Sequence, residues 1–439
     1  MSKKIFQIRE YGFFYKEKHG IDSERLSAEG NVMIPDEVFD YLEIFLLENN
    51  YDNDNFMDLS YKKGIGKIIK AKNYVGTIKT PSGITIEVLP KLYTNGVTSS
   101  YSDTKKILFK MLKEVKDLPF KNFNMANLED VNTDILDIFI KMFLDEVSKL
   151  IKIGLKSYYV QQQNNSNYLK GKLLISKHIY FNSTRKDKFY VEYDEYSNNI
   201  PENKIIKSTL LKLSKITDNT ILQDRIRRYL AAFIDVETSI NYSKDLSKCR
   251  NNKLMKDYIN CIEWSKVFLD NKGFSIYNGK NSAYSLLYPM EKIFESYVGN
   301  SIKKNSIFNK FDVILQGREG NTKYLFDYPK RFKLVPDIIM KKEGETIILD
   351  TKWKKLYNDS NKNYGISSID MYQMYAYSKK YAANKIILIY PYSEEASNIL
   401  RNNESSYIEY NAKDNVTVYV FFINIECMDD SLVELYNII

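Results

Sequence analysis

"VPDIIMKKEGETIILDTKWKK", residues 335–355, holds two strand-like runs that each carry charge where an apolar side chain would suit a core. Val335 to Met340 carries Asp337, and Thr346 to Trp353 carries Asp350 and Lys352. Between them, "KKEGE" reads as a hairpin turn with Glu343-Gly344 at its tip. Folding about that dipeptide sets Asp337 opposite Asp350, and residues opposed across an antiparallel pair share a face. Strand alternation adds Lys352 to that face, because side chains at i and i+2 point the same way. Two carboxylates and an amine are therefore expected at one spot.

Carboxylates so close repel unless a cation or a shared proton relieves them. Mg²⁺ suits the case, since it takes oxygen ligands, keeps several waters and pairs with phosphate oxygens. With Lys352 alongside to assist deprotonation of a water or steady developing charge, the set suits phosphodiester hydrolysis. The same residues also fit a surface hairpin with a cross-strand Asp–Lys salt bridge. The run Ile347-Ile348-Leu349 leading into Asp350 favours chemistry, because a buried strand is a poor place for idle charge.

Composition narrows the classes. The 439 residues allow two or three domains, and 64 Lys plus Arg against 56 Asp plus Glu give a net charge of +8, which permits an anionic partner. Cys249, Cys261 and Cys427 have no paired spacing, so neither a disulfide framework nor a zinc ribbon is expected. No basic-then-apolar leader opens the chain and no uncharged apolar run reaches membrane-spanning length, so a cytoplasmic setting without membrane contact is expected. His19 and His178 are the only histidines, which excludes nucleases and zinc hydrolases that need clustered imidazoles. Hydrolytic chemistry must rest on carboxylates and lysine.

Residues 34–50 repeat apolar positions at helical spacing after Pro35-Asp36, a decoy for the acid pair because no acid-x-Lys strand follows. "YVGTIKTPSGITIEVLPKL" (74–92) reads as a hairpin about Pro81-Ser82-Gly83. Helices are expected at 133–154 and 201–216, a further helical stretch carries Arg225, Arg227 and Arg228, and the polar segment 160–172 reads as a loop. "NKGFSIYNGKNSAYS" (271–285) marks the last boundary, which divides the chain into a β-rich 1–100, a mainly helical 101–270 and a final domain 271–439. Gly273 to Gly279-Lys280 fails as a phosphate loop, with five intervening residues and Asn281 where Ser or Thr is required.

In the final domain the helix 289–304 stacks Glu291 with Glu295, and strand-like runs follow at 311–316 and 323–326 before the hairpin. The helix 367–381 places Gln373 and Tyr377 on one face, the apolar run 385–390 reads as a buried strand, and "NVTVYVFFINI" closes the sheet. The fold class is mixed α/β (α+β), a mixed sheet flanked by helices.

Pro336-Asp337 with Asp350-Thr351-Lys352 resembles the PD-(D/E)xK nuclease motif, and Gln373 with Tyr377 resembles the QxxxY element of many such nucleases. "VGTI…GITIEVLPKL" (75–92), "LKGKL" (169–173), "NKIIKSTLLKL" (203–213) and "MEKIFESYV" (290–298) resemble, in order, segments of the McrC family, the nuclease subunit of McrBC-type modification-dependent restriction systems. The resemblance covers roughly residues 60–395, and the ordered set is what makes it specific. It implies a restriction-endonuclease-like C-terminal sheet in which Asp337 and Asp350 hold Mg²⁺ and Lys352 is the catalytic lysine. Glu295 takes the place of the first-helix acid, or is a helix-surface glutamate. Gln373 and Tyr377 support the site or contact DNA, although core packing also accounts for Tyr377. The implied partners are double-stranded DNA and a McrB-like AAA+ GTPase hexamer that docks the region before residue 271 and is stimulated by it. A non-catalytic assembly subunit with a vestigial site is the alternative.

Overall fold

The computed structural model describes residues 5–17, 22–49, 56–91, 100–115, 134–250, 253–269, 284–317, 321–403 and 405–439. The boundary segment and the glycine-lysine run at 273–280 lie almost wholly outside them, as does His19. The chain folds as two units, residues 134–273 and residues 1–133 together with 274–439.

In the unit spanning 134–273, Asp134 caps the helix Ile135–Ile153 by accepting from the Leu136 amide, and Gly154, at φ 98°, ends it. The helices Pro201–Ile216, Thr220–Ala232 and Ile259–Leu269 complete the bundle, with Pro201 in the first turn, where its missing N–H costs nothing. Trp264 and Phe268 stack at 5.6 Å in its core. The expected loop at 160–172 is a correction. Tyr158–Ser166 is a nine-residue strand paired throughout with Phe189–Ser197. Its Gln and Asn residues have weak strand preference, and the partner ladder supplies what local propensity does not. His178 stacks on Phe189 and its Nδ1 lies 3.1 Å from Asn182 Nδ2, a packing role.

The other unit contains the sheet that concerns function. Six strands run in the order Asp312–Leu315, Ile338–Lys342, Glu345–Thr351, Lys385–Pro391, Thr417–Ile423, Tyr407–Asn411. Glu345–Thr351, Lys385–Pro391 and Thr417–Ile423 are parallel neighbours, and the outer pairings are antiparallel. The helix Ser368–Tyr381 is the crossover between the first two parallel strands. Ile386 to Tyr390 are fully buried, as a parallel strand covered on both faces requires. Thr417–Ile423 is internal: Tyr407–Asn411, unforeseen in the sequence, takes the edge. Lys330–Leu334 was also unforeseen and pairs with Lys323–Asp327 as a separate hairpin.

The same unit includes two four-stranded sheets built from earlier residues. One runs Ile5–Arg9, Thr85–Leu89, Tyr74–Lys79, Tyr284–Pro289, so the strand that leads into the helix Met290–Lys304 is hydrogen-bonded to residues 74–79. A Cβ on Gly76, at φ 140°, would lie 2.0 Å from the Leu286 carbonyl oxygen, so only glycine permits that approach. No helix among the described residues is long and apolar enough to cross a membrane.

Candidate active site

The hairpin closes in the register that its sequence implies. Ile338 faces Leu349 and Lys342 faces Glu345, which leaves Glu343 and Gly344 as a two-residue loop and puts Asp337 opposite Asp350 one step beyond the ladder. Glu343 at φ 50° and Gly344 at φ 89° are both left-handed, the geometry that matches strand twist in a two-residue hairpin. Ile339 and Ile348, two residues inward from the acids, lie in the core packed on Met374 and Tyr377 of the helix Ser368–Tyr381. The acids therefore stand on the face that this helix covers.

Asp337 Oδ2 accepts from both the Thr351 amide and the Thr351 hydroxyl, each at 2.7 Å, so the opposite strand fixes its carboxylate. Asp350 is 2% exposed. Lys352 continues the strand, its amide donating to the Ile389 carbonyl at 2.8 Å, and its ammonium lies 2.5 Å from Asp350 Oδ2. That contact is a short ion pair on a buried carboxylate. Lys352 Nζ also donates to Gln373 Oε1 at 3.2 Å. Gln373 Nε2 donates to the Tyr377 hydroxyl at 2.7 Å, and that hydroxyl donates to the Val335 carbonyl at 3.1 Å. A chain of bonds thus runs from the residue two before Asp337, through the crossover helix, to the lysine.

Burial raises both acids from the ordinary 3.8 to about 7, with Glu295 adding to the effect at Asp337 and Asp337 adding to it at Asp350. Burial alone would pull Lys352 down, but Asp350 and the neighbouring acids leave it raised and charged. Half-buried Glu295 is likewise raised, by burial first and then against the pull of a hydrogen bond with Gln316, with Asp350 adding repulsion. The structure thus brings Asp337, Asp350, Lys352, Gln373 and Tyr377 together, with Glu295 in electrostatic reach.

Three neighbours were not read from the sequence. Buried Asp370, three residues before Gln373, lies 4.0 Å from Lys352 Nζ and 3.0 Å from Lys354 Nζ; helical i, i+3 spacing from Gln373 could have found it. The Gln316 amide donates to the Asp337 carbonyl at 2.7 Å. Buried Trp353 packs on Phe294 at 5.2 Å, and its Nε1 donates to the Glu10 carboxylate at 3.1 and 3.2 Å. Nothing local in the sequence signals that last pair, which is 343 positions apart.

Among the described residues no three His, Cys, Asp or Glu side chains converge as a ready-made metal cage. Asp337 and Asp350, side by side on one face, still fit Mg²⁺, which is usually held by one or two carboxylates with waters and substrate phosphate supplying the rest. The donor set is all oxygen, which does not suit a softer transition metal.

The family profile described as McrBC 5-methylcytosine restriction system component matches residues 69–391. No curated protein matches the sequence. Among solved structures, a refined half-complex from a tetradecameric assembly of Thermococcus gammatolerans McrB AAA+ hexamers with bound McrC matches with a TM-score of 0.63 and 16% identity, over 98% of this chain and 100% of the other. The Thermococcus gammatolerans McrBC complex solved by cryo-EM also matches, with a TM-score of 0.47 and 17% identity over 69% of this chain and 88% of the other. The profile spans the hairpin with Asp337 and Asp350 and the helix Ser368–Tyr381, and the chain belongs to the McrBC 5-methylcytosine restriction system component family, as its resemblance to McrC implied.

Proposed function

We propose that this chain is the nuclease subunit of an McrBC-type restriction system, hydrolysing phosphodiester bonds of modified double-stranded DNA with Mg²⁺ held by Asp337 and Asp350. The observation that carries the reading is the close pair of acids beside Lys352, with Asp350 only 2% exposed and in a short ion pair with the lysine. Burying two carboxylates and a lysine costs several kcal/mol per ion, and a fold that needed only packing would fill the space with apolar atoms. Mg²⁺, when bound, supplies positive charge against the phosphoryl group under attack. Asp337 is held for that task by Thr351. Lys352, steadied by Gln373, presents a fixed ammonium to charge that develops on the phosphate oxygens. Glu295 adds a third acid at the edge of the site.

The partner in this reading is a McrB-like AAA+ GTPase ring that recognises and moves DNA. Support comes from the family and from the Thermococcus assembly, in which McrB AAA+ hexamers have bound McrC. The absence of a phosphate loop from the sequence agrees with a motor on another chain. The test is cleavage of methylated plasmid by the purified chain with its AAA+ partner, with and without Mg²⁺. Asp337→Ala, Asp350→Ala and Lys352→Ala should each abolish cutting while the chain still binds the partner. Substantial cleavage by Asp350→Ala would overturn the assignment.

A further inference from the structure

The hairpin of Lys323–Asp327 and Lys330–Leu334 ends three residues before Asp337. It lies outside the six-stranded sheet, as a two-stranded sheet of its own. Its tip is exposed and at once aromatic and basic: Tyr328 is 97% exposed, Phe332 71% and Phe326 55%. Lys330, Arg331 and Lys333 are exposed too and have no ion-pair partner among the described residues. The hairpin's one acid, Asp327, is neutralised by Lys380 at 2.8 Å. Such rings are normally buried, and bare cations at this density beside them are a poor protein core but a good match to phosphates and base edges. Phe326 and Phe332 hold each other edge to face at 5.9 Å, and Phe332 has a left-handed φ of 56°, so its exposed place on the second strand is built into the backbone.

The base is tied to the catalytic helix. Tyr381, one turn beyond Tyr377, donates its hydroxyl to the carbonyls of Leu334 and Asn321 at 3.1 and 2.9 Å. Lys323 Nζ donates to the Lys380 carbonyl at 2.6 Å. The helix that orients Lys352 through Gln373 thus also anchors this hairpin. With at most about 3.6 Å of chain per residue, Lys333 lies within roughly 15 Å of Asp337, which is one or two phosphates' reach along a duplex.

We infer that this hairpin is a clamp for duplex DNA, in which Lys330, Arg331 and Lys333 grip phosphates next to the scissile one and Tyr328 and Phe332 lie against the groove. The inference rests on the nuclease reading for its substrate class. Charge complementarity selects DNA as the occupant: the three cations have no counter-charge among the described residues, and counterion release from phosphates is the interaction that they serve.

Binding of a fluorescein-labelled duplex to the full-length chain, measured by anisotropy in EDTA across a salt series, tests it. Lys330→Ala/Arg331→Ala/Lys333→Ala should make the log–log salt dependence shallower by about 2.7, at about 0.9 for each phosphate no longer neutralised. Tyr328→Ala/Phe332→Ala should weaken binding about tenfold and leave the slope unchanged. Lys330, Arg331 and Lys333 are exposed and without ion-pair partners among the described residues, so the melting temperature of the triple variant should not move. If wild type cleaves DNA with Mg²⁺ and the AAA+ partner but the triple variant keeps the wild-type slope and affinity, the clamp is refuted and the nuclease reading stands. If the triple variant binds DNA normally but no longer binds the AAA+ partner, the hairpin is a protein-docking element and the clamp is again refuted. If the slope falls as stated while wild type cuts nothing, the clamp stands and the nuclease reading fails.

Discussion

Replacing Asp350 by Asn should make the metal-free protein more stable and inactive at once. A carboxyl group whose pKa is higher in the folded chain than in the unfolded one binds more protons when folded, so stability falls as pH rises between the two values. For Asp350 that window runs from 3.8 to about 7, with the stability fully present below it and lost above it. At about 1.4 kcal/mol per pKa unit, the ionised group costs on the order of 4 kcal/mol at pH 8. That cost already includes the attraction of Lys352, which acts on the ionised form. Asn is nearly the shape of the neutral acid and does not titrate, so Asp350→Asn should gain on the order of 3 kcal/mol at pH 8. At about 2 °C per kcal/mol for a unit of this size, that is a rise of about 6 °C in the metal-free Tm. At pH 4 the wild-type group is largely protonated and the two proteins should melt together.

Differential scanning fluorimetry in EDTA from pH 4 to pH 9 reads this directly, and titration with MgCl₂ supplies the second arm. Wild type should recover stability with Mg²⁺, because a ligand that binds only the folded state adds RT ln(1 + [L]/Kd). The variant should recover little. Parallel melting curves for the two proteins across the whole pH range, or a lower Tm for the variant at pH 8, would refute the argument that these acids are held at a cost to the fold.

Three further outcomes follow from the same contacts. Tyr377→Phe removes the hydroxyl between Gln373 and the Val335 carbonyl; it should cost about 1 kcal/mol in denaturant unfolding and slow single-turnover cleavage several-fold without changing DNA affinity. Glu10, raised from 4.5 to about 8 by burial despite its bonds from the Lys91 amide and Trp353, loses stability as pH rises through that window, so Glu10→Gln should melt above wild type at pH 9 and close to it at pH 4, by scanning calorimetry. Lys352→Met leaves the buried Asp350 without its ion-pair partner, so it should abolish cleavage and steepen the fall of Tm between pH 5 and pH 8.

The parts of the site that were legible in the sequence are those set by local rules. The Glu343-Gly344 tip and the two-residue alternation determine the pairing of Asp337 with Asp350 and the place of Lys352, and four-residue helical spacing puts Gln373 and Tyr377 together. Each of these needs only one strand pair or one helix. Glu10 against Trp353 depends on how elements from distant segments pack, and Gln316 against Asp337 on which strand pairs with Ile338–Lys342, and no periodicity encodes either. The strands Tyr158–Ser166 and Lys330–Leu334 were missed for a different reason. Neither has a buried apolar face, since no residue of the first is buried and only Leu334 of the second is, so the alternation that marks a half-buried strand is absent and backbone pairing alone defines them.

The break read at 271–285 suggested that a chain cut near Asn271 would separate partner docking from chemistry, and the strand pairings argue against using that cut. Tyr284–Pro289 pairs with Tyr74–Lys79, and Leu287 belongs to the core formed by Ile8, Ile78 and Val88. Downstream, Asn300 Nδ2 donates to the Glu114 carbonyl at 2.7 Å, Lys304 pairs with the Glu114 carboxylate at 2.5 Å, and Trp353 needs Glu10. A 272–439 fragment would uncover Tyr284, Leu286, Leu287 and Tyr288, all buried in the full chain. At about 1.5–3 kcal/mol for each such side chain, the loss is roughly 6 kcal/mol or more, comparable with the whole stability of a domain. Residues 134–273, by contrast, have their own aromatic core around Phe139, Phe143, Trp264 and Phe268. We therefore expect 134–273 expressed alone to melt cooperatively by circular dichroism, and 272–439 alone to show no cooperative transition. Co-expressing 1–133 with 272–439 should restore one. A well-folded 272–439 fragment that melts like the intact chain would show that the early sheets do not support the candidate site, and Glu10 would then be an incidental neighbour of Trp353.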